Sequence, residues 1–429
     1  MRCPSPLLTA AGKAGRNATG PRCPVRRSWE GISSVSQLHR RQVLKLLGAA
    51  GLAAPTLAAC TTTKAAPAAS SPVRVGMIVP QTGPDKVIGD ELIAGFQLYL
   101  NLHGNQLGSH PVQMIMLDEG QTAESGRAAV DKLIKENGVR VLTGVGSSVV
   151  MSGIRDQVET AQVPLLGSNA SPASLGGVKY IWRTSFVNNE PAAALGGYLG
   201  NQRNQTVFVV SDESANSREQ VTGFLTAFNG VARHPGLAGD TMQLPLVAHP
   251  DTPLAAHLAT IRTSGAKAVF AAVSGTGAAA FFNAYKGAGL NMPLYAPGFV
   301  TEGTALRLLA DAAAGLYTAM NYSPDIDNGA NRTFASEYQK VYNGAPTTYA
   351  VASYDAAAVL DKALQLANGD LGSQSINAAL SQVGQIDSPR GSWEFNQSRT
   401  PLQRWYLRQV RKTGQVLSNV LLSDLTLLG

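Results

Sequence analysis

"VRVGMIVPQTGPDKVIGDELIAGFQLYLNL", residues 73–102, decides the fold class. Val73–Pro80 is short and apolar, and the turn material Gln81-Thr82-Gly83-Pro84 stops it, so a strand is predicted. Glu91–Leu102 then places Leu92, Phe96 and Leu100 four apart, the stripe of a helix. A strand followed at once by a helix is half of a βα repeat.

The repeat continues downstream. Pro111–Asp118 reads as a strand. Ala123–Gly138 reads as a helix, with Ala129 and Leu133 on one face and Asn137-Gly138 as its stop. Val139–Gly144 opens the next unit. Helices near 153–161, 191–199, 254–263 and 277–286 alternate with strands at 163–166, 206–210, 266–273 and 293–296. Successive βα units imply parallel sheets covered by helices on both faces. The strand-like runs exceed eight and lack barrel-like uniformity, so the expected fold is α/β with two doubly wound parallel-sheet lobes.

Upstream, the pattern stops. Thr61–Ser71 holds only Thr, Lys, Ala, Pro and Ser, which cannot bury apolar area and read as a flexible tether. Before it lies "HRRQVLKLLGAAGLAAPTLAAC", residues 39–60. Its apolar part, Leu46–Leu57, is 12 residues long and diluted by Gly48, Gly51 and Pro55, against roughly 20 apolar residues for a membrane span. Basic residues, a short apolar run and then small residues form an export signal. Arg40-Arg41 resembles the twin-arginine motif and Leu57-Ala58-Ala59-Cys60 resembles a lipobox. Residues 1–59 are therefore expected to be a signal sequence, and 60–72 a lipidated Cys60 with its tether.

Charge and thiols divide at the same place. The chain has 35 Lys+Arg and 28 Asp+Glu; nine and one of these lie in residues 1–59, leaving 26 and 27. The remainder is close to neutral, which disfavours nucleic-acid binding. Cys3 and Cys23 fall in the signal, so Cys60 is the only thiol left and no internal disulfide can form. His39, His103, His110, His234, His249 and His257 include no pair at metal-ligand spacing. HExxH, GxSxG and phosphate-loop patterns are missing too, so neither an enzyme, a metal nor a cofactor is expected.

Two loops stand out chemically. Gly146-Ser147-Ser148 follows a strand and precedes a helix, where backbone N–H groups and hydroxyls stabilise anions. Ser168-Asn169-Ala170-Ser171 follows the next strand. Both leave the carboxyl ends of parallel strands, the usual place for ligands in open α/β sheets. The same residue types also cap helices and shape turns.

The segments "RVGMIVPQTGPDKVIGDELIAGFQLYLN", "LDEGQTAESGRAAVDKLIKENGVRVLTGVGSS", "IRDQVETAQVPLLGSNAS", "YIWRTSFVNNEPAAALGGYL", "YAVASYDAAAVLDKAL" and "SPRGSWEFNQ" resemble, in order, those of the branched-chain amino acid-binding proteins. These are type I periplasmic binding proteins that serve ABC importers, and the resemblance runs from Val73 to Thr413. It implies three chain crossings between the lobes. Lobe one would be 73–187 plus 322–388, and lobe two 188–321 plus 389–429. The ligand would lie between them.

The resemblance further implies that Ser148, Asn169 and Ser171, with Ala170 in the same loop, hold the carboxylate and part of the ammonium of an amino acid. From the other side, Asn216, Ser274 and Gly298 would face it, with Ile88 beside the first βα turn. Relatives carry an acid for the ammonium at the position of Gly298; here the nearest carboxylate is Glu302. A buried ammonium without a countercharge is costly. Either Glu302 or another acid supplies that charge, or the ligand is an amide, urea-like compound or small carboxylate. Glu302 as a surface residue at a helix N-terminus is the competing reading.

The expected protein is thus a monomeric, lipid-anchored receptor on the outer face of the cytoplasmic membrane or the periplasmic side. It would deliver its ligand to permease and ATPase subunits on separate chains. A ligand-sensing or protein-activating lipoprotein, such as a cell-wall synthase activator, is the alternative on the same fold.

Overall fold

A computed structural model describes residues 71–202, 205–230, 242–244 and 254–429. Arg40, Arg41 and Cys60 lie outside the described residues, as do His39, His234 and His249.

In chain order the strands of the first sheet are β1 (Val73–Val79), β2 (Gln106–Leu107), β3 (His110–Asp118), β4 (Val141–Gly144), β5 (Leu165–Gly167) and β6 (Ile181–Arg183). They lie in the order β2-β3-β1-β4-β5-β6, all parallel except β2. The second sheet holds β7 (Val207–Asp212), β8 (Met242–Leu244), β9 (Ala268–Ala272), β10 (Leu294–Pro297), β11 (Tyr317–Met320), β12 (Glu394–Phe395), β13 (Pro401–Thr413) and β14 (Val416–Leu428). Its order is β12-β13-β11-β10-β9-β7-β8, with β14 on β13. β7 to β11 are parallel, and β13 joins β11 antiparallel.

The helices are α1 (Lys86–Leu102), α2 (Ala123–Asp131), α3 (Ser148–Ala161), α4 (Glu190–Gly200), α5 (Ala215–Asn229) and α6 (Ala255–Thr263). They continue with α7 (Gly275–Gly287), α8 (Gly303–Leu309), α9 (Gly329–Tyr342), α10 (Thr348–Leu366) and α11 (Ser373–Leu380).

β1 is buried on both faces, as a central parallel strand requires: Val73, Val75, Met77, Ile78 and Val79 are all inside. One face meets α1 through Leu92, Phe96 and Leu100, together with Leu360 and Leu364 of α10 and Leu380 of α11. The other meets α2 and α3 through Val130, Ile154 and Val158. Helices on both faces make this lobe doubly wound. α1 lies so close to α10 that a Cβ at Gly95 would stand 2.0 Å from the carbonyl oxygen of Ala350. Only glycine permits that approach.

Three details differ from the sequence reading. The helix expected near 153–161 starts at Ser148, because Ser147 Oγ caps it by accepting Val150 N–H at 3.5 Å. The helix at 123–138 is α only to Asp131 and widens into a π turn over Lys132–Glu136. The carboxyl-terminal hairpin β13–β14, joined at Gly414 with φ +61°, was not foreseen.

Among the described residues the chain passes between the sheets three times: after β6, after β11 and after α11. One carbonyl ties the passages together. Ser185 O accepts from Arg390 Nη1 at 3.1 Å, Asn321 Nδ2 at 3.3 Å and Gln403 Nε2 at 2.8 Å. Arg390 also donates to Thr184 O at 2.7 Å and pairs with Asp355 of α10 at 3.0 Å. All of these polar groups are buried, so the joint is dry, and its charges have fixed partners.

No helix among the described residues is long and apolar enough to cross a membrane. No group of His, Cys, Asp or Glu among them could hold a metal ion.

Candidate functional site

The carboxyl ends of β4 and β5 deliver the first lip. Glu119, one residue past β3 and fully buried, reaches across the end of β1. It accepts Gly146 N–H and Ser147 N–H at 2.8 Å each. These two donors had been expected to face an anion; an internal carboxylate uses them instead. Asn169 Nδ2 donates to Gly146 O at 2.8 Å, and Ser185 Oγ donates to Asn169 O at 3.0 Å. The Asn169 amide therefore braces one loop against the other. Ala170 is buried and donates its N–H to Val145 O.

Ser148 and Ser171 keep chemical freedom. Ser148, at the first turn of α3, is half-buried and accepts from Asn188 Nδ2 at 3.3 Å, which leaves its O–H free to donate. Ser171 is fully buried, and its Oγ has no hydrogen-bond partner among the described residues. A buried hydroxyl of that kind costs free energy until something bonds to it.

The second lip comes from β7 and β9. Asp212 ends β7 and is 3% exposed. One oxygen accepts Ser214 N–H at 2.9 Å; the other accepts Ser274 N–H at 2.8 Å and Ser274 O–H at 2.9 Å. Ser214 caps α5, and Ser274 precedes α7. One carboxylate thus fixes the starts of both helices. These donors hold Asp212 below the usual carboxylate range although burial opposes them. Asn216, half-buried, lies in the first turn of α5.

The lips approach each other beside the first passage between sheets. Asn188, which donates to Ser148, accepts through its carbonyl from Gln220 Nε2 of α5. Ala173 N–H donates to the Glu219 carboxylate at 3.3 and 3.4 Å. Asn188, Gln220, Glu119 and Asp212 escaped the sequence reading.

Gly298, Glu302 and Ile88 do not join this constellation in the way expected. A Cβ on Gly298 would stand 2.6 Å from Ala319 O and 2.8 Å from Arg408 Nη2, so the backbone leaves no room for an acid. Glu302 is neither a surface residue nor a free countercharge: it is 5% exposed and pairs with Arg408 Nη2 at 2.7 Å. Its other oxygen accepts Thr348 N–H at 3.0 Å. It lines a cavity of about 1200 Å³ with Glu91, Tyr338 and Tyr342, a wall that includes none of Ser148, Ser171 and Ser274. Ile88 is half-buried and packs on the core beneath α1.

Burial pushes the carboxyls of Glu119 and Glu190 up to about 7; the N–H groups each accepts work against the shift. The folded protein then binds protons that the unfolded chain has released between pH ~4.5 and ~7, so stability falls as pH rises through that window. The unfolding free energy is expected to be higher at pH 5.5 than at pH 7.5, by up to about 1.4 kcal/mol per pH unit and group below pH ~7, and the melting temperature higher with it. Glu190→Gln should flatten the slope; a melting temperature that falls on acidification would contradict the assignment.

Comparison with known proteins gives a consistent result. A Leu/Ile/Val-binding protein homologue of Brucella melitensis is 27% identical over 349 residues, 79% of this chain and 88% of the relative. A solute-binding protein of an ABC transporter from R. palustris, solved with benzoate, is 26% identical with a TM-score of 0.71, covering 83% of this chain and 97% of that one. An ABC transporter substrate-binding protein from Sphaerobacter thermophilus shares the fold with a TM-score of 0.76 at 23% identity, over 82% of this chain and 98% of that one. The sequence model of periplasmic binding proteins matches residues 72–415. With two parallel-sheet lobes and paired strand-end lips, the chain belongs to the periplasmic binding protein family, a family of extracytoplasmic binding proteins and not of enzymes.

Proposed function

We propose that this protein is a lipid-anchored solute receptor of an ABC importer, exported by its twin-arginine-like signal and held to the membrane at Cys60. Lobe one (73–187 plus 322–388) and lobe two (188–321 plus 389–429) close by a hinge motion on a small ligand, which is passed to separate permease and ATPase subunits.

The observation that carries the ligand assignment is the pair Ser148 and Ser171, two hydroxyls beyond the ends of neighbouring parallel strands, one free to donate and the other buried without a partner among the described residues. They suit a ligand carboxylate. An ammonium is less well served: Gly298 has no room for an acid, and Glu302 is neutralised by Arg408. That favours a small carboxylate without an α-ammonium, of the benzoate kind, over a free branched-chain amino acid. Among solved relatives, one from R. palustris holds benzoate and one from Streptococcus pneumoniae holds isoleucine.

Thermal unfolding of residues 61–429 with leucine, isoleucine, valine, benzoate, small amides and urea tests this. A ligand at about 100 times its Kd adds about 2.7 kcal/mol. Stabilisation by benzoate alone is the expected result. Stabilisation by leucine alone would overturn the ligand class, and no response to any of them would turn attention to a protein partner. Ser148→Ala with Ser171→Ala should lower affinity for the stabilising ligand at least tenfold, about 1.4 kcal/mol, with the melting temperature of the free protein little changed. Unchanged affinity in isothermal calorimetry would remove both loops from the site.

A further inference from the structure

We infer that Glu119 and Asp212 are a matched pair of positioning carboxylates, one in each lobe, that pre-form the two lips before any ligand arrives. The inference rests on the ligand site proposed above and adds residues that touch no ligand themselves.

The two sites are built alike. In each, an acid stands at the carboxyl end of a parallel strand, inside the protein, and reaches to the loop of another strand in the same sheet. Glu119 crosses from β3 over β1 to the β4–α3 loop, and Asp212 crosses from β7 to the β9–α7 loop. Each accepts backbone N–H groups that would otherwise point outward, at 2.8 to 2.9 Å. Each also holds the residue immediately before, or at, a proposed ligand contact: Ser147 precedes Ser148, and Ser274 is bonded directly.

The geometry has a chemical consequence. Loops at strand ends sample many conformations unless their N–H groups are fixed, and ligand binding must then supply the ordering free energy. A carboxyl with two acceptor oxygens fixes two donors at once, and its bonds strengthen when it is ionised, as Asp212 is and as Glu119 becomes above about pH 7. Gly146 shows how tightly this is built. A Cβ there would stand 2.9 Å from Pro80 and 3.3 Å from Glu119 Oε1, so the loop backbone lies directly against its carboxylate.

Glu119→Gln and Asp212→Asn test the inference in the full lipid-free chain. Each replaces one acceptor oxygen by an amide NH2 that faces a backbone N–H. The first readout needs no ligand: amide hydrogen exchange at Gly146 and Ser147 should quicken in Glu119→Gln, and at Ser214 and Ser274 in Asp212→Asn, with the sheet cores unchanged. Unchanged exchange at these amides overturns the inference, whatever the ligand. The second readout is calorimetric affinity for whichever of benzoate or leucine binds the parent protein, with an expected fall of about ten- to hundredfold in either variant. Glu119→Asp, which keeps the charge, should recover part of it. Faster exchange with unchanged affinity would make both residues structural only and sink the positioning role. A parent protein that binds neither probe counts against the proposed ligand class, while the exchange readout still decides the inference. Should Glu119→Gln fail to fold, Glu119→Asp is read in its place by the same two measurements; should Asp212→Asn fail, Ser274→Ala, which removes the hydroxyl bond to Asp212, is read by amide exchange at Ser214, with no exchange difference there overturning the role of Asp212.

Discussion

Asp355→Ala is expected to cost about 3–5 kcal/mol of unfolding free energy, because it strands the guanidinium of Arg390 inside the protein. Arg390 is 2% exposed and Asp355 is fully buried, so water cannot take over either role. The carboxylate also accepts from Ser388 Oγ and Trp393 Nε1 at 2.9 Å each, and both donors would be orphaned with it. Urea denaturation should show the loss as a lower midpoint at unchanged slope. Burial lifts the Asp355 carboxyl to about 6, with Arg390 pulling it down, so the pair is ionic at pH 7.5. Asp355→Ala combined with Arg390→Met should recover much of the loss, since replacing both members of a buried pair is often neutral. A single-variant cost below about 1 kcal/mol would mean that the joint between the lobes admits water.

That joint was not legible in the sequence, and the reason is physical. Strands and helices declare themselves through local periodicity: Leu92, Phe96 and Leu100 form the buried face of α1 as their spacing predicts. The two-lobed parallel architecture followed from repeating that reading. Arg390, Asn321 and Gln403, by contrast, converge on Ser185 from distant parts of the chain, and no local pattern marks a residue whose partner is one backbone carbonyl. The hairpin β13–β14 did leave a signal, two alternating runs flanking Gly414-Gln415, which charged residues such as Arg404, Arg408 and Arg411 obscured.

The site was read in part for the same reason. Ser148 and Ser171 stood out in the sequence because strand ends are where ligands bind in open α/β sheets, and their ligand role is the proposal made above. Glu119 and Asp212 share a signal that went unused: an acid at the end of a strand, followed within three residues by a Ser or Thr that caps a helix, in "LDEGQT" and "VVSDES". Glu302 was misread because its partner, Arg408, lies in a strand more than a hundred residues downstream.

Arg408→Met is therefore the sharper test of how the second lobe is held. The guanidinium is fully buried; it donates to Tyr322 O at 2.8 Å and Gly298 O at 3.3 Å, and it pairs with Glu302. Its loss takes the ion-pair partner from the Glu302 carboxyl, which keeps Thr348 N–H, and removes the donor to Tyr322 O, while Gly298 O keeps the Thr301 hydroxyl. A destabilisation of about 3–5 kcal/mol is expected in thermal or urea unfolding. Arg408→Met with Glu302→Leu should restore most of that, yet not the connection itself. The Glu302 carboxylate sits at the N-terminus of α10, where negative charge is favoured, and so joins α8 of the second lobe to a helix packed on the first. The double variant, which lacks the bond to Thr348, is expected to regain its melting temperature while its ligand affinity in calorimetry stays below that of the parent. Recovery of both would confine Glu302 to neutralising Arg408.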